Sequence, residues 1–174
     1  MASGKNYVCS KYEEKGWISL DADKLVHKAI NQAYKQIFTA FSKEANAAGI
    51  TLKNPDGKLN RQALGKLIFN SPKLLARQES IVYPIIIEET KTFIQTHRDS
   101  NIILNATVLY KTPELLSMCE KIIFVTAPFL TRFIRALKRD KLSAKEILKR
   151  FRAQKNLLSK YEEFGIPIEI YKNY

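Results

Sequence analysis

The chain is poor in the residues that build special-purpose folds. Its 174 residues include two cysteines, two histidines, one tryptophan, six glycines and six prolines. Cys9 and Cys119 cannot make a disulfide framework, so a reduced, cytosolic compartment is the simple reading. His27 and His97 also stand alone in the sequence, and nothing groups into a zinc site. No apolar run approaches the ~20 residues needed to cross a bilayer. The opening Met-Ala-Ser-Gly-Lys-Asn-Tyr carries no apolar signal segment. Internal repeats, low-complexity tracts and Gly/Ser linkers are lacking as well. Acidic residues are in deficit, with 17 Asp and Glu against 29 Lys and Arg, a net charge of +12. A surface this basic excludes strongly cationic partners. It favours polyanions such as nucleotides, cofactor phosphates, nucleic acid or an anionic membrane. A well-solvated basic protein with no such partner is the plain alternative.

What is present is enough for a real core, since 45% of the residues are apolar. Helical and strand patterns alternate. Residues 6–14 read as a helix halted by Gly16, and 17–20 as a short strand ending in Asp21-Ala22-Asp23. Residues 24–46 read as one helix, with Val26, Ile30, Ala33, Ile37 and Phe41 near a 3.6 period. Asn54-Pro55-Asp56-Gly57 is a turn by composition, and 61–69 a short helix. Ser71-Pro72 opens a longer helix that runs to about His97 and bends near Pro84. Residues 101–108 and 121–126 are Ile- and Val-rich runs flanked by helices, which suits parallel strands covered on both faces. Residues 128–139 are helical, and Ser143-Ala-Lys-Glu146 fits a capping box opening a helix through Gln154 or beyond. Residues 165–171 read as a last strand. The sum is an α/β domain with a mainly parallel sheet and a lid-like helical excursion near residue 140.

Two clusters carry chemistry. Ser3-Gly4-Lys5 followed by a helix matches the second half of a P-loop, where backbone N–H groups cradle phosphates and the lysine adds positive charge. The motif's first glycine would fall ahead of Met1, and Asn6 stands where Ser or Thr would bind Mg²⁺. A solvated tail is the other reading of these residues. Asp21 and Asp23, at i and i+2, point to one side if the chain is extended, at the strand end where open α/β sheets bind ligands. Alternatively, one of them caps the following helix.

Taken together, these residues resemble dephospho-CoA kinase, the P-loop enzymes of the last step of coenzyme A biosynthesis. The similarity runs through Met-Ala-Ser-Gly-Lys-Asn (1–6), Gly-Trp-Ile-Ser-Leu-Asp-Ala-Asp-Lys-Leu (16–25) and Asn-Pro-Asp-Gly-Lys-Leu-Asn-Arg-Gln-Ala-Leu (54–64). It continues through Ile-Phe-Asn-Ser-Pro (68–72), Tyr-Pro-Ile-Ile-Ile-Glu-Glu (83–89), Arg-Ala-Leu-Lys-Arg-Asp-Lys-Leu-Ser (135–143) and Arg-Phe-Arg-Ala-Gln (150–154). Four residues depart from the family pattern: Asn6 for Ser or Thr, Tyr83 for the histidine before Pro84, Asn105 for an acid, and Lys111 for a glutamate.

The resemblance implies a three-layer P-loop NTPase fold with a parallel sheet, a helical lid at about 139–156 and a helical substrate-binding region at about 26–100, in one kinase domain spanning 1–174. It implies ATP and dephospho-CoA as small-molecule substrates, Mg²⁺ as cofactor, a cytoplasmic location, and neither nucleic acid nor membrane as partner. Ala2, Ser3, Gly4 and Lys5 would hold the ATP phosphates, with Asn6 at the metal. Asp23 would accept the proton of the ribose 3′-hydroxyl, and Asp21 would orient it or support the metal. Arg139 and Arg150 would reach the phosphates from the lid, and Arg61 and Tyr83 would lie on the substrate side. Arg139 and Arg150 also belong to a run with Lys138, Lys141, Lys145, Lys149 and Arg152 that reads equally as a solvated helix face. Lys, Arg and Mg²⁺ are what phosphoryl transfer needs, because it is mostly positioning and charge stabilisation.

The family's sheet has five parallel strands with the first in the middle, and that first strand is missing from this sequence. Two sheet halves with unpaired backbone groups would result, so the sequence reads either as one begun at an internal Met or as a fragment, and the expectation is a native start roughly ten residues upstream, with a strand ending in glycine. Taken literally, the chain is expected to bind ATP poorly and to be unstable. Two alternatives remain open: a catalytically impaired nucleotide-binding relative, which Asn6, Asn105 and Lys111 favour, and a basic nucleic-acid-binding protein.

Overall fold

The computed structural model describes residues 1–69, 71–140 and 142–174. Asn70 of the 68–72 motif and Lys141 of the basic run lie outside the described residues. In chain order the elements are α1 (Lys5–Glu13), β1 (Ile18–Asp21), α2 (Ala22–Gln32), α3 (Tyr34–Ala47), α4 (Arg61–Ile68), α5 (Pro72–Thr96), β2 (Ile102–Asn105), α6 (Pro113–Leu116), β3 (Ile122–Thr126), α7 (Phe129–Asp140), α8 (Ala144–Ala153), α9 (Leu157–Glu162) and β4 (Ile168–Lys172). They form two compact units, one of Met1–Leu20 with Ile94–Tyr174 and one of Asp21–Phe93.

In the first unit β1 pairs with β2, and β3 pairs with β4. The second pair is parallel, with Ile122 opposite Ile168 and Thr126 opposite Lys172. The two pairs form separate two-stranded sheets. β2 ends at Asn105, short of the expected 108. Beyond it the Leu109 N–H and the Thr107 carbonyl hydrogen-bond the Tyr161 hydroxyl at 2.9 and 3.2 Å, which draws the backbone out of the strand into a 3₁₀ turn at Leu109–Lys111. The expected capping box is present. Ser143 accepts from the Glu146 N–H, and Glu146 accepts from the Ser143 N–H at 3.0 Å, so two orphan amides at the start of α8 are satisfied reciprocally. The helix stops at Ala153, and a separate α9 follows it. Val8, Leu115, Leu116, Ala136, Ile147 and Tyr161 are buried in this unit.

In the second unit the expected single helix over 24–46 is two. Ala33 takes φ −83°, ψ 11°, which ends α2 and starts α3. Hydrogen bonds run through the break, from the Ala33 N–H to the Ala29 carbonyl and from the Ile37 N–H to the Ala33 carbonyl, both 2.9 Å. The buried stripe is Leu25, Ala29, Ala33, Ile37, Phe41 and Ala45, a strict i, i+4 row. Val26 and Ile30, expected on that face, are only half-buried. Asn54–Gly57 turns as its composition predicts. The Gly57 N–H bonds the Asn54 carbonyl at 2.9 Å, and Gly57 takes φ +83°, a left-handed conformation that suits glycine. α5 starts at Pro72, where the missing N–H costs nothing, and continues through Pro84. Arg77 on α5 donates to the Ala40 carbonyl at 2.9 Å and to Glu44 at 2.5 Å, which fixes it against α3.

Candidate active site

The start of the chain wraps into a loop at the N-terminus of α1. Ala2 takes φ +53° and Gly4 φ +93°, both left-handed. Gly4 is the residue before the first helical turn, and its carbonyl accepts from the Val8 N–H at 3.0 Å. A Cβ on Gly4 would displace the Asn173 side-chain amide, and φ +93° is a backbone conformation that L side chains rarely adopt. Asn173 locks the loop from outside. Its side-chain amide donates to the Ser3 carbonyl at 2.8 Å, and its backbone N–H donates to the Thr126 carbonyl at 2.7 Å, at the end of β3. Left-handed residues at Ala2 and Gly4, with Ser3 between them, lead into the helix N-terminus, a backbone setting of the kind that receives anions. Lys5 is the first helical residue.

This loop borders a cavity of ≈ 450 Å³ lined by Ala2, Gly4, Tyr7, Arg135, Arg139 and Asn173. Arg139 holds its neighbour Asp140 through Nε and Nη2, at 2.6 and 3.1 Å. That pairing lowers the Asp140 carboxyl below its ordinary range and raises the Arg139 guanidinium. Arg132 and Arg135 lie on the same face of α7 as Arg139, at i, i+3 and i+7. Arg132 Nε and Arg135 Nη1 are buried donors without a hydrogen-bond partner. The sequence reading assigned neither a role; their helical spacing with Arg139 was the available signal. The Met1 nitrogen donates to Gln154 Oε1 at 2.6 Å. Its pKa is pushed down to about 6, first by burial and then by the charges of Arg132, Arg139 and Lys5.

The remaining expected residues fall as follows. Asn6 is the second residue of α1, and its Oδ1 accepts from Asn105 Nδ2 at 3.1 Å. Asn105 closes β2 and is buried, and its Oδ1 has no donor. Arg150 is exposed on α8. In the other unit, Asp21 ends β1 and caps α2, accepting from the Lys24 N–H at 3.1 Å. Asp23 lies in the first turn of α2 and is exposed. The two are therefore not the extended i, i+2 pair that the sequence suggested, because the helix starts between them. Arg61 is the first residue of α4, and its Nη1 lies 2.6 Å from His27 Nδ1. It borders a polar cleft of ≈ 890 Å³ with Asn31, Tyr34, Asn54, Asp56 and Lys58. Tyr83 is half-buried on α5.

The Asn6–Asn105 pair bears on metal. Mg²⁺ at a phosphate site is usually held by one or two carboxylates plus phosphate oxygens. These two side chains are neutral amides that bond each other. They do not fit a protein-held magnesium.

The model of the family "Dephospho-CoA kinase" matches residues 1–163. The dephospho-CoA kinase of Treponema denticola is 35% identical, over 99% of this chain and 78% of its own length. That of Treponema pallidum is 35% identical over 88% of this chain and 74% of its own. Among solved structures, a Thermus thermophilus protein aligns with TM-score 0.81 at 24% identity, over 100% of this chain and 84% of that one. The dephospho-CoA kinase of Campylobacter jejuni aligns with TM-score 0.68 at 20% identity, over 100% and 85%. These two likenesses bear on the fold, while the family match and the Treponema relatives bear on kinship. The chain belongs to the dephospho-CoA kinase family.

Proposed function

We propose that the chain transfers the γ-phosphoryl group of ATP to the 3′-hydroxyl of dephospho-CoA, forming coenzyme A. Family membership supplies the reaction. The observation that carries the nucleotide half is the left-handed loop at Ala2–Gly4 beside Arg135 and Arg139 around one cavity. Backbone N–H groups of residues 2–5 and the Lys5 ammonium receive the phosphates. Arg139 and Arg135 face the same charge from α7, and Arg150 is a further cation on α8. Phosphoryl transfer asks for this kind of placement more than for covalent chemistry.

Asp23 takes the proton of the attacking hydroxyl. As an exposed carboxylate in the first turn of α2, it can do so without disturbing the cap that Asp21 supplies. Asp21 positions it through that cap. Arg61 and Tyr83 lie on the substrate side, where the polar cleft beside Arg61 suits a phosphate-bearing ligand. Mg²⁺ reaches the reaction on the phosphates of ATP and screens their charge. A cytosolic location fits the substrates, and among the described residues no helix is long and apolar enough to cross a membrane.

The Asn6–Asn105 pair favours a second reading, a relative that binds nucleotide without turning it over. A coupled assay with ATP, dephospho-CoA and Mg²⁺ separates the two. Turnover that is lost in Asp23→Asn while ATP still binds supports the kinase. ATP binding with no turnover in the unaltered chain supports the second reading.

A further inference from the structure

The loop at Ala2–Gly4 has neutral groups on one side and an excess of cations on the other. On the neutral side, Asn105 Nδ2 donates to Asn6 Oδ1 at 3.1 Å, and the one uncommitted oxygen, Asn105 Oδ1, is buried. An amide oxygen offers a metal a dipole and no charge. On the cationic side stand Lys5, Arg132, Arg135 and Arg139, and Arg139 pairs with its neighbour Asp140. Arg132 Nε and Arg135 Nη1 are buried with no acceptor. Arg135 Nη1 lies 3.8 Å from where a Cβ on Gly4 would stand, so it reaches the loop itself.

A buried guanidinium N–H without an acceptor is costly. Phosphate oxygens match guanidinium forks in charge and geometry. A magnesium complex brings less negative charge to such a site than the free nucleotide does, and part of its phosphate surface is taken by the metal.

We propose that this chain neutralises the phosphates of its nucleotide with Lys5, Arg132, Arg135 and Arg139 in place of a protein-held divalent cation, so that free ATP binds no more weakly than its magnesium complex. The proposal rests on the nucleotide site described above and specifies how that site handles charge. Arg132 becomes a positioning residue for phosphate, and the amide pair becomes the reason that the chain itself holds no magnesium.

The test is calorimetric titration of the chain with ATP, once in EDTA and once in excess MgCl₂. The expected result is a dissociation constant in EDTA equal to or lower than that in Mg²⁺, within about threefold. Binding more than about tenfold weaker in EDTA overturns the proposal and leaves the nucleotide site standing. Absence of binding in both overturns both. Arg132→Gln is expected to weaken free ATP by about tenfold and the magnesium complex by less. Equal losses in the two would mean a packing role only and would overturn the assignment of Arg132. Asn105→Asp is expected to shift preference toward the magnesium complex. Should that variant not fold, the titration of the unaltered chain still decides.

Discussion

Asp21 and Asp23 stand two residues apart in sequence but on opposite sides of a helix start: Asp21 closes β1 and caps α2 from outside, and Asp23 lies within its first turn. The two carboxylates therefore separate by experiment. Asp21→Asn keeps an N-cap acceptor, and Asp21→Ala removes it at a cost of about 1 kcal/mol. Asp23→Asn leaves the cap intact. It is expected to leave the melting temperature nearly unchanged and to lower kcat by roughly 10²- to 10⁴-fold. A melt and an initial-rate assay on the three variants read this out. If Asp21→Asn lost as much activity as Asp23→Asn, the division of labour would be wrong.

Gly4 has a backbone that L-residues avoid and a neighbouring side chain, Asn173, that a Cβ would have to displace. Gly4→Ala meets both φ +93° and the Asn173 side chain. The expected result is loss of ATP binding by at least about tenfold, with a melting temperature only a few degrees lower, because the loop lies outside the core. Asn173→Ala opens the space and is expected to recover part of the affinity in the double variant. Failure of any recovery would place the whole effect on backbone strain.

Tyr161 offers a pH signature. Its hydroxyl is bonded to the Leu109 N–H and the Thr107 carbonyl, and burial pushes its pKa up to about 12 from 10.0. The folded state keeps the proton to higher pH than the unfolded state. The unfolded chain therefore binds fewer protons between pH 10 and about 12, and stability falls across that window by on the order of 2–3 kcal/mol. Tyr161→Phe is expected to be less stable by about 1 kcal/mol at neutral pH and to show less of this alkaline decline. Denaturant melts at pH 8 and pH 11 measure both. An equal decline in the two proteins would remove Tyr161 as its cause.

Ser143 and Glu146 make a reciprocal cap on α8. Ser143→Ala is expected to cost about 1 kcal/mol and to speed amide exchange in the first turn of α8 ahead of the rest of that unit. Exchange spread evenly over α7 and α8 would show that the cap does not act locally.

Much of this architecture could be read in the residues because it depends on local chemistry. Ser71-Pro72 and the Ser143/Glu146 box mark helix starts through hydrogen bonds within four residues, and Asn54–Gly57 turns for the same kind of reason. The break at Ala33 left no trace, since alanine is a good helix former and the i, i+4 apolar row continues through it. β2 was read too long because its end is set by the Tyr161 hydroxyl, far along the chain. The glycine-containing loop ahead of α1 was legible as Ser3-Gly4-Lys5. Its setting against Asn173 and the partnering of Asn6 with Asn105 were not, because those contacts join residues from opposite ends of the first unit. Arg132 and Arg135 were readable in principle by their helical spacing with Arg139.

The sheet of this unit is two ribbons, β1 with β2 and β3 with β4, and neither ribbon has a third strand among the described residues. Each strand of a two-stranded ribbon has an outer edge whose N–H and C=O groups can serve as a ladder for another extended segment. Concentrated solutions should thicken through strand-on-strand stitching between molecules, and a short β-forming peptide that occupies one ladder should act as a solubiliser.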